Sequence, residues 1–323
     1  MKFKTLYVII LFPVALALSI LGYYLLVPQY KYQISVIMPA YNSEQYIEES
    51  IESILTQSFK DFQLIIVNDA STDKTQQIAE RFAKKDSRIK LINLPQNSGA
   101  ASARNEGIKH IEGKYTIFVD SDDWLLTNML EELYNHSEKY NLDMNICQAH
   151  IFDNEKQELT REGSYVNENS FLQYTYLKGK NLTVFSYKNI PTNFFQISLK
   201  YTWNKLIKSS IIKKNNLQFD NVKKHNDSYF ITMAMLHAKR IGYIPNRLYV
   251  YRINRKNAIS DIHKKEYQSV YQTFKKIKES LIEMDLYKTL YKSYNKWLYD
   301  FIPEHELKGI DEEYRQKMIE LFD

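Results

Sequence analysis

From residue 34 the chain alternates short apolar runs with longer stretches whose apolar residues recur every three or four positions. ISVIM (34–38), FQLIIV (62–67), RIKLIN (88–93), YTIFV (115–119) and DMNICQAHIF (143–152) read as strands. Several are apolar almost throughout, which predicts strands covered on both faces. Between them, SEQYIEESIESILTQ puts Ile47, Ile51, Ile54 and Leu55 at helical spacing, with Ser43 or Glu44 near its start. TDKTQQIAERFAKK is a second helix, with Thr72 or Asp73 as its cap. SGAASARNEGIKHI, opening on small residues, and LTNMLEELYNHSEKY are the third and fourth.

Strands and helices alternating at this pitch predict an α/β fold: a mostly parallel sheet with right-handed crossovers, flanked by helices. In such sheets ligands bind beyond the carboxyl ends of the strands. That rule puts Pro39–Asn42, Asn68–Asp73 and Asp120–Asp123 on one rim. No Gly-x-Gly-x-x-Gly follows the first strand, which argues against a nicotinamide or flavin cofactor. From 154 to 200 the pattern is irregular, and from 201 helix and strand pieces resume. Beyond 261 the chain is mostly amphipathic helix. Its Lys-rich face is either a solvated surface or a docking surface for an anionic membrane.

The N-terminus follows another rule. Residues 5–27, TLYVIILFPVALALSILGYYLLV, carry no charge, and about 20 apolar residues cross a bilayer. The run is longer than the apolar core of a secretory signal, although Ala15 and Ala17 offer a small-x-small cleavage pattern. The expectation is an uncleaved single-pass anchor. Lys2 and Lys4 before it favour a cytosolic N-terminus, but the side that carries the globular part is left open.

Composition narrows the partners. A net charge of +5 is mildly basic and suits an anionic substrate or a membrane surface. The charges are mixed along the chain, so nucleic acid is not implied. The single cysteine, Cys147, allows no intrachain disulfide; within a strand it reads as a buried, inert thiol.

The sharpest chemical signal is FVDSDDW (118–124), where Asp120, Asp122 and Asp123 follow an apolar strand. Carboxylates gathered so closely repel one another unless a cation compensates. Hard divalent ions such as Mg²⁺ or Mn²⁺ suit carboxylates and phosphates together. An acidic loop at a helix start is the bland alternative.

ISVIMPAYNSEQYIEESIESILTQSF, LIIVNDASTDKT, NSGAASARNEGI and GKYTIFVDSDD occur in that order and together resemble the family 2 glycosyltransferases of GT-A fold. The likeness is dense over 34–125. It continues loosely through WNKL (203–206), HND (225–227) and YVYR (249–252). It implies a Rossmann-like GT-A architecture, which the apolar run at 5–27 would precede with one transmembrane helix. Residues 1–33 would be anchor and linker, 34–260 the catalytic domain (34–125 binding nucleotide, 126–260 acceptor) and 261–323 a C-terminal helical extension. The implied activity is inverting, metal-dependent transfer of one sugar, from a nucleotide donor of the UDP type to a hydroxyl of a glycan or lipid-linked acceptor.

Residue by residue, the resemblance implies Asp122 on Mn²⁺ or Mg²⁺, with Asp120 on the ribose or close behind the metal. Asp69 would accept a hydrogen bond from the uracil ring, with Tyr41 and the Pro39 backbone near the base. Arg104 would meet the pyrophosphate or brace a rim aspartate. Asp227 would be the base that takes the acceptor's proton. Trp203 either stacks on the acceptor sugar or belongs to the core, and Lys205 and Arg252 are candidates for phosphate contacts. Two departures stand out. Asn68 and Ala70 replace an Asp and a Gly of the family's Asp-Asp-Gly-Ser, and Ala70 matters if that turn needs a positive φ. Asn226 replaces the Glu of the Glu-Asp pair, with His225 beside it. That second change motivates an alternative: a catalytically impaired module that binds nucleotide sugars at the membrane.

Overall fold

The computed structural model describes residues 30–160, 184–197, 201–222, 226–255, 267–301, 316–317 and 319–321. Contacts divide the chain into Met1–Lys31 and Tyr32–Asp323, and the fold below is that of the second unit. The expected anchor at 5–27 lies outside the described residues. Among those described, no helix is long and apolar enough to cross a membrane.

The first half follows the apolar rhythm closely. Strand β1 (Tyr32–Ala40) leads to helix α1 (Ile47–Leu55), β2 (Phe62–Asn68) to α2 (Thr75–Ala83), and β3 (Ile89–Asn93) to α3 (Ala100–Ile108). Then come β4 (Gly113–Phe118), a short β5 (Trp124–Leu125) and α4 (Met129–Tyr140). Neighbours in the order β3-β2-β1-β4 pair in parallel. Successive side chains on a strand point to opposite faces. Ile34, Val36 and Met38 therefore pack with Ile47, Ile51 and Ile54 of α1, while Ile37, Ile65 and Val67 pack with Ala101 and Ala103 of α3. Gly107 lets α3 come down onto β1: a Cβ there would lie 2.5 Å from Cγ2 of Ile37.

The second half departs from simple alternation. Its elements are β6 (Met144–Asp153), β7 (Glu158–Thr160), β8 (Val184–Phe185), α5 (Phe194–Ile197), β9 (Lys205–Lys208), α6 (Ser209–Lys214), α7 (Asn226–His237) and β10 (Ile241–Ile253). Strand β9 wedges between β4 and β6, antiparallel to both. Beyond it, β6 and β10 pair in parallel, and β5, β7 and β8 join antiparallel. The sheet is thus mixed rather than mostly parallel. The parallel rule describes strand-helix-strand units, and past β4 the connections are no longer of that kind.

Helices α8 (Tyr267–Glu283) and α9 (Tyr287–Phe301) follow. Phe274, Leu281, Tyr294 and Trp297 belong to the same apolar cluster as Phe194, Phe195 and Phe230. The C-terminal helices therefore share the core beneath the sheet.

Strand β10 matters most for the site. Its register shifts between Ile244 and Tyr249, and its far end pairs with β5 through Tyr249↔Leu125 and Val250↔Trp124. Bulges re-aim side chains in this way. Here the effect is to lay Tyr249 and Arg252 against the aspartate loop that precedes β5.

Candidate active site

The carboxyl ends of β1, β2 and β4 are level. Pro39 faces Val67 and Ala40 faces Asn68, and the Val119 N–H donates to Ile37 O at 2.9 Å. The loops leaving these ends are laced together. The hydroxyls of Ser43 and Ser121 are 2.7 Å apart, the Ser43 N–H reaches Thr75 Oγ1 at 2.7 Å, and Asn42 Oδ1 accepts from the Thr72 N–H at 2.9 Å. Pro39 is buried at the strand end, and Tyr41 stands out from the rim, 48% exposed.

The turn after β2 needs the conformation that a glycine would supply freely. Ala70 has φ 54°, in the left-handed region that costs a side chain about 1 kcal/mol or more. Asn68 helps to hold it: its Oδ1 accepts from the Ser71 N–H at 3.2 Å, and its Nδ2 donates to Asn93 Oδ1 at 3.0 Å. The Asp69 carboxylate receives the N–H groups of Ser98 and Gly99, both at 2.8 Å, at the entrance to α3. A carboxylate at a helix N-terminus answers unpaired donors and the helix dipole. Each oxygen keeps a further lone pair.

Arg104, on α3, spans the site. Its Nη2 donates to Asp120 Oδ1 at 2.7 Å, its Nη1 to Asn226 Oδ1 at 3.3 Å, and its guanidinium lies 5.3 Å from the Phe219 ring centroid. Burial works against its charge, but Asp120 and Asp227 more than restore it. Of the two roles open to it, bracing an aspartate is the one its contacts display.

The three aspartates are compensated in three different ways. Asp120 has Arg104. Asp123 accepts from the Tyr249 hydroxyl and from the Arg252 N–H, each at 2.8 Å, and burial together with its two acidic neighbours pushes its pKa well up. It is a buried strut between loop and sheet. Asp122 pairs with Nε of Arg255; burial raises its pKa to about 6, with Arg255 pulling down and Asp120 pushing up. Asp120 is thus partly open beside its pair, Asp123 is committed to the fold, and Asp122 faces an arginine side chain that is itself 23% exposed.

Arg252 is not placed to meet phosphate. Its Nε donates to Asp122 O at 2.8 Å and its Nη2 to Glu49 Oε2 at 2.7 Å, while its guanidinium lies over the rings of Tyr46 and Trp124. It fixes the backbone of the aspartate loop. Lys205 is likewise interior, fully buried, with Nζ donating to Tyr201 O at 2.6 Å and Asn204 Oδ1 at 2.8 Å. Burial lowers its pKa to about 7, and nearby Asp227 pulls it back up. Trp203 belongs to the core: it is 2% exposed and stacks on Tyr249 at 4.5 Å. A ring so covered offers no face to an acceptor sugar. Cys147 is buried, and burial pushes its thiol up to about 12.

Asp227 sits in the first turn of α7, next to the Asn226 that Arg104 holds. Burial raises its pKa to about 6; Arg104 and Lys205 lower it, and Asp120 raises it. His225 lies outside the described residues. Asp120, Asp227 and Arg104 therefore form one electrostatic group, tied through Ser121 to the β1 rim and through α3 to Asp69. Sequence reasoning missed Tyr249 and Arg255. Tyr249 opens the YVYR stretch, but nothing in that stretch says what its hydroxyl would meet, and Arg255 is a single arginine past a strand that leaves no local pattern.

The donor set suits a shared cation rather than a closed cage. Among the described residues, no three His, Cys, Asp or Glu side chains gather as a metal site. Mg²⁺ and Mn²⁺ commonly bind through one or two carboxylates and complete their shell with water and substrate phosphate. Asp122, a buried carboxylate at the end of the sheet whose pKa burial raises and positive charge lowers, fits that mode.

Comparison with known proteins agrees with this geometry. The model of "Glycosyl transferase family 2" matches residues 35–215. Glycosyltransferase GlyA of Streptococcus pneumoniae serotype 4 is 31% identical over 71% of this chain, and the uncharacterized glycosyltransferase EpsJ of Bacillus subtilis is 34% identical over 71%. The chain spans only 32% and 63% of their respective lengths. In structure, the S. aureus TarS 1–349 fragment, solved in complex with UDP-GlcNAc, superposes with a TM-score of 0.70 at 23% identity. That match covers 90% of this chain and 79% of the other, and it is a likeness of fold.

Proposed function

The chain belongs to glycosyl transferase family 2, and on that premise we propose that it transfers a single sugar from a UDP-linked donor to a hydroxyl of a glycan or lipid-linked acceptor, with inversion. The observation that carries this reading is the span of Arg104 from Asp120 to Asn226. It joins the nucleotide rim to the start of the helix that bears Asp227. A donor held on the rim thereby lies beside a carboxylate that can act on an acceptor.

In this reading Asp69 uses its remaining lone pairs for the uracil imide, and Tyr41 covers the base beside Pro39. Asp120 meets the ribose. Asp122 would hold Mn²⁺ or Mg²⁺, which when bound neutralises charge developing on the departing diphosphate. Asp227 takes the proton of the attacking hydroxyl. Its pKa of about 6 leaves it ionised at neutral pH yet basic enough to accept that proton. The 5–27 segment tethers the enzyme to a membrane.

Asn226 favours a second reading, a module that binds nucleotide sugar without turnover. One experiment separates the two. Full-length protein is incubated with UDP-sugars, Mn²⁺ and candidate acceptors, and UDP release is followed. Asp227→Asn is expected to reduce turnover by a thousandfold or more while leaving UDP affinity within about twofold, since a base acts on the reaction and not on the nucleotide. UDP binding by the wild type with no acceptor-dependent release from any pairing would favour the binding module.

A further inference from the structure

Arg255 is unused in the reading above, and it holds the carboxylate that the reading gives to a cation. Its Nε pairs with Asp122, whose residue is only 7% exposed, while the arginine side chain itself is 23% exposed. Among the described residues, the other cations near the aspartates are committed elsewhere. Arg104 is engaged by Asp120 and Asn226. Arg252 is engaged by Glu49, Asn154 and the Asp122 carbonyl. Lys205 is buried against Tyr201 and Asn204. A divalent ion arriving at Asp122 therefore meets a guanidinium already in place, and two cations on one carboxylate repel each other.

The charges point to an exchange. Before donor arrives, Asp122 and Arg255 cancel. A sugar-linked diphosphate brings two negative charges and the ion two positive ones. If the ion takes Asp122 and Arg255 turns to the diphosphate, the four groups again sum to zero. Guanidinium is also the side chain best shaped to grip phosphate oxygens in pairs. Resting on the family reading above, we propose that Arg255 is a donor-binding residue that yields Asp122 to the divalent cation and passes to the donor diphosphate. Cation and nucleotide then bind cooperatively. The cation alone must break an ion pair, and with donor present the displaced arginine gains a new partner. Such coupling is reciprocal by linkage.

The test needs no turnover. Full-length wild type, Arg255→Met and Arg255→Lys, each checked by thermal melting for folding, are titrated calorimetrically with Mn²⁺ alone, UDP alone, and each in the presence of the other. Removing the internal cation is expected to tighten Mn²⁺ alone by roughly fivefold or more, to weaken UDP in Mn²⁺, and to cut the mutual enhancement by a similar factor. Arg255→Lys, which keeps the charge, should lie between. If Arg255→Met binds Mn²⁺ no tighter than wild type, or the enhancement is unchanged, the exchange is wrong while UDP binding by the wild type leaves the family reading intact. If the wild type binds no UDP with or without Mn²⁺, the donor reading and the exchange fall together.

Discussion

In the function proposed above, the titration of Asp227 sets the pH dependence of turnover. An ordinary aspartate would be ionised throughout the physiological range and would be a feeble base. Burial lifts this one to about 6, against the pull of Arg104 and Lys205. A base must be deprotonated to act, so activity should be lost as pH falls through that value. With cation and donor saturating, the rate should drop about tenfold per pH unit below about 6 and level off above it. Saturating cation matters because Asp122 also titrates near 6 without it, and a bound cation would hold that carboxyl ionised. A rate that stays flat down to pH 5 would remove Asp227 from the chemistry.

At the level of elements, the turn between β2 and α2 shows how a family position can change and survive. Ala70 occupies a left-handed conformation, φ 54°, that glycine adopts without penalty. The surrounding side chains of Asn68 and Asn42 hold the turn in place. Ala70→Gly should therefore stabilise the fold by about 0.5–1 kcal/mol, the left-handed cost removed less the extra chain entropy of glycine. Urea denaturation of the two proteins checks the sign. Lower stability in the glycine variant would mean that the Ala70 methyl makes packing contacts worth more than the strain. The turn itself was foreseeable from the residues, because Asn-Asp-Ala-Ser between an apolar strand and a helix is turn chemistry. The sign of φ at Ala70 was raised only as a condition, through the glycine that the family has there, since nothing in an alanine itself requests it.

For the molecule as a whole, the site exists only when several distant stretches are folded together: β1 and α1, the β2 turn, α3, the aspartate loop, α7 and the end of β10. A ligand that binds this assembly and not the unfolded chain stabilises all of it. UDP with Mn²⁺ at a hundred times the dissociation constant should add about 2.7 kcal/mol, read as a rise in melting temperature that chelator reverses. UDP with chelator should give a smaller rise, and equal shifts with and without the ion would argue against a shared cation. The mixed sheet belongs to this scale too. Strand β9 enters between β4 and β6, and the bulged β10 then returns to the aspartate loop, so that the second half of the sheet supplies Tyr249, Arg252 and Arg255 to the loop that follows β4.

The sequence by itself determined the first four strands, their helices and the rim on which Pro39, Tyr41, Asp69 and the aspartates would meet. The reason is that apolar periodicity and turn residues are local signals, and parallel pairing follows from them by sterics. It also marked Asp227 and the change at Asn226. Only the tertiary structure decided what compensates each carboxylate. Asp120, Asp122 and Asp123 are near neighbours with identical chemistry, and they differ in what lies against them: an arginine from α3, an arginine past β10, and a tyrosine hydroxyl with a backbone N–H from β10. The same holds for Trp203, Lys205 and Arg252, whose burial is set by strands far away in the chain. Electrostatics and burial are sums over all that surrounds a group, and no short stretch of sequence contains that sum.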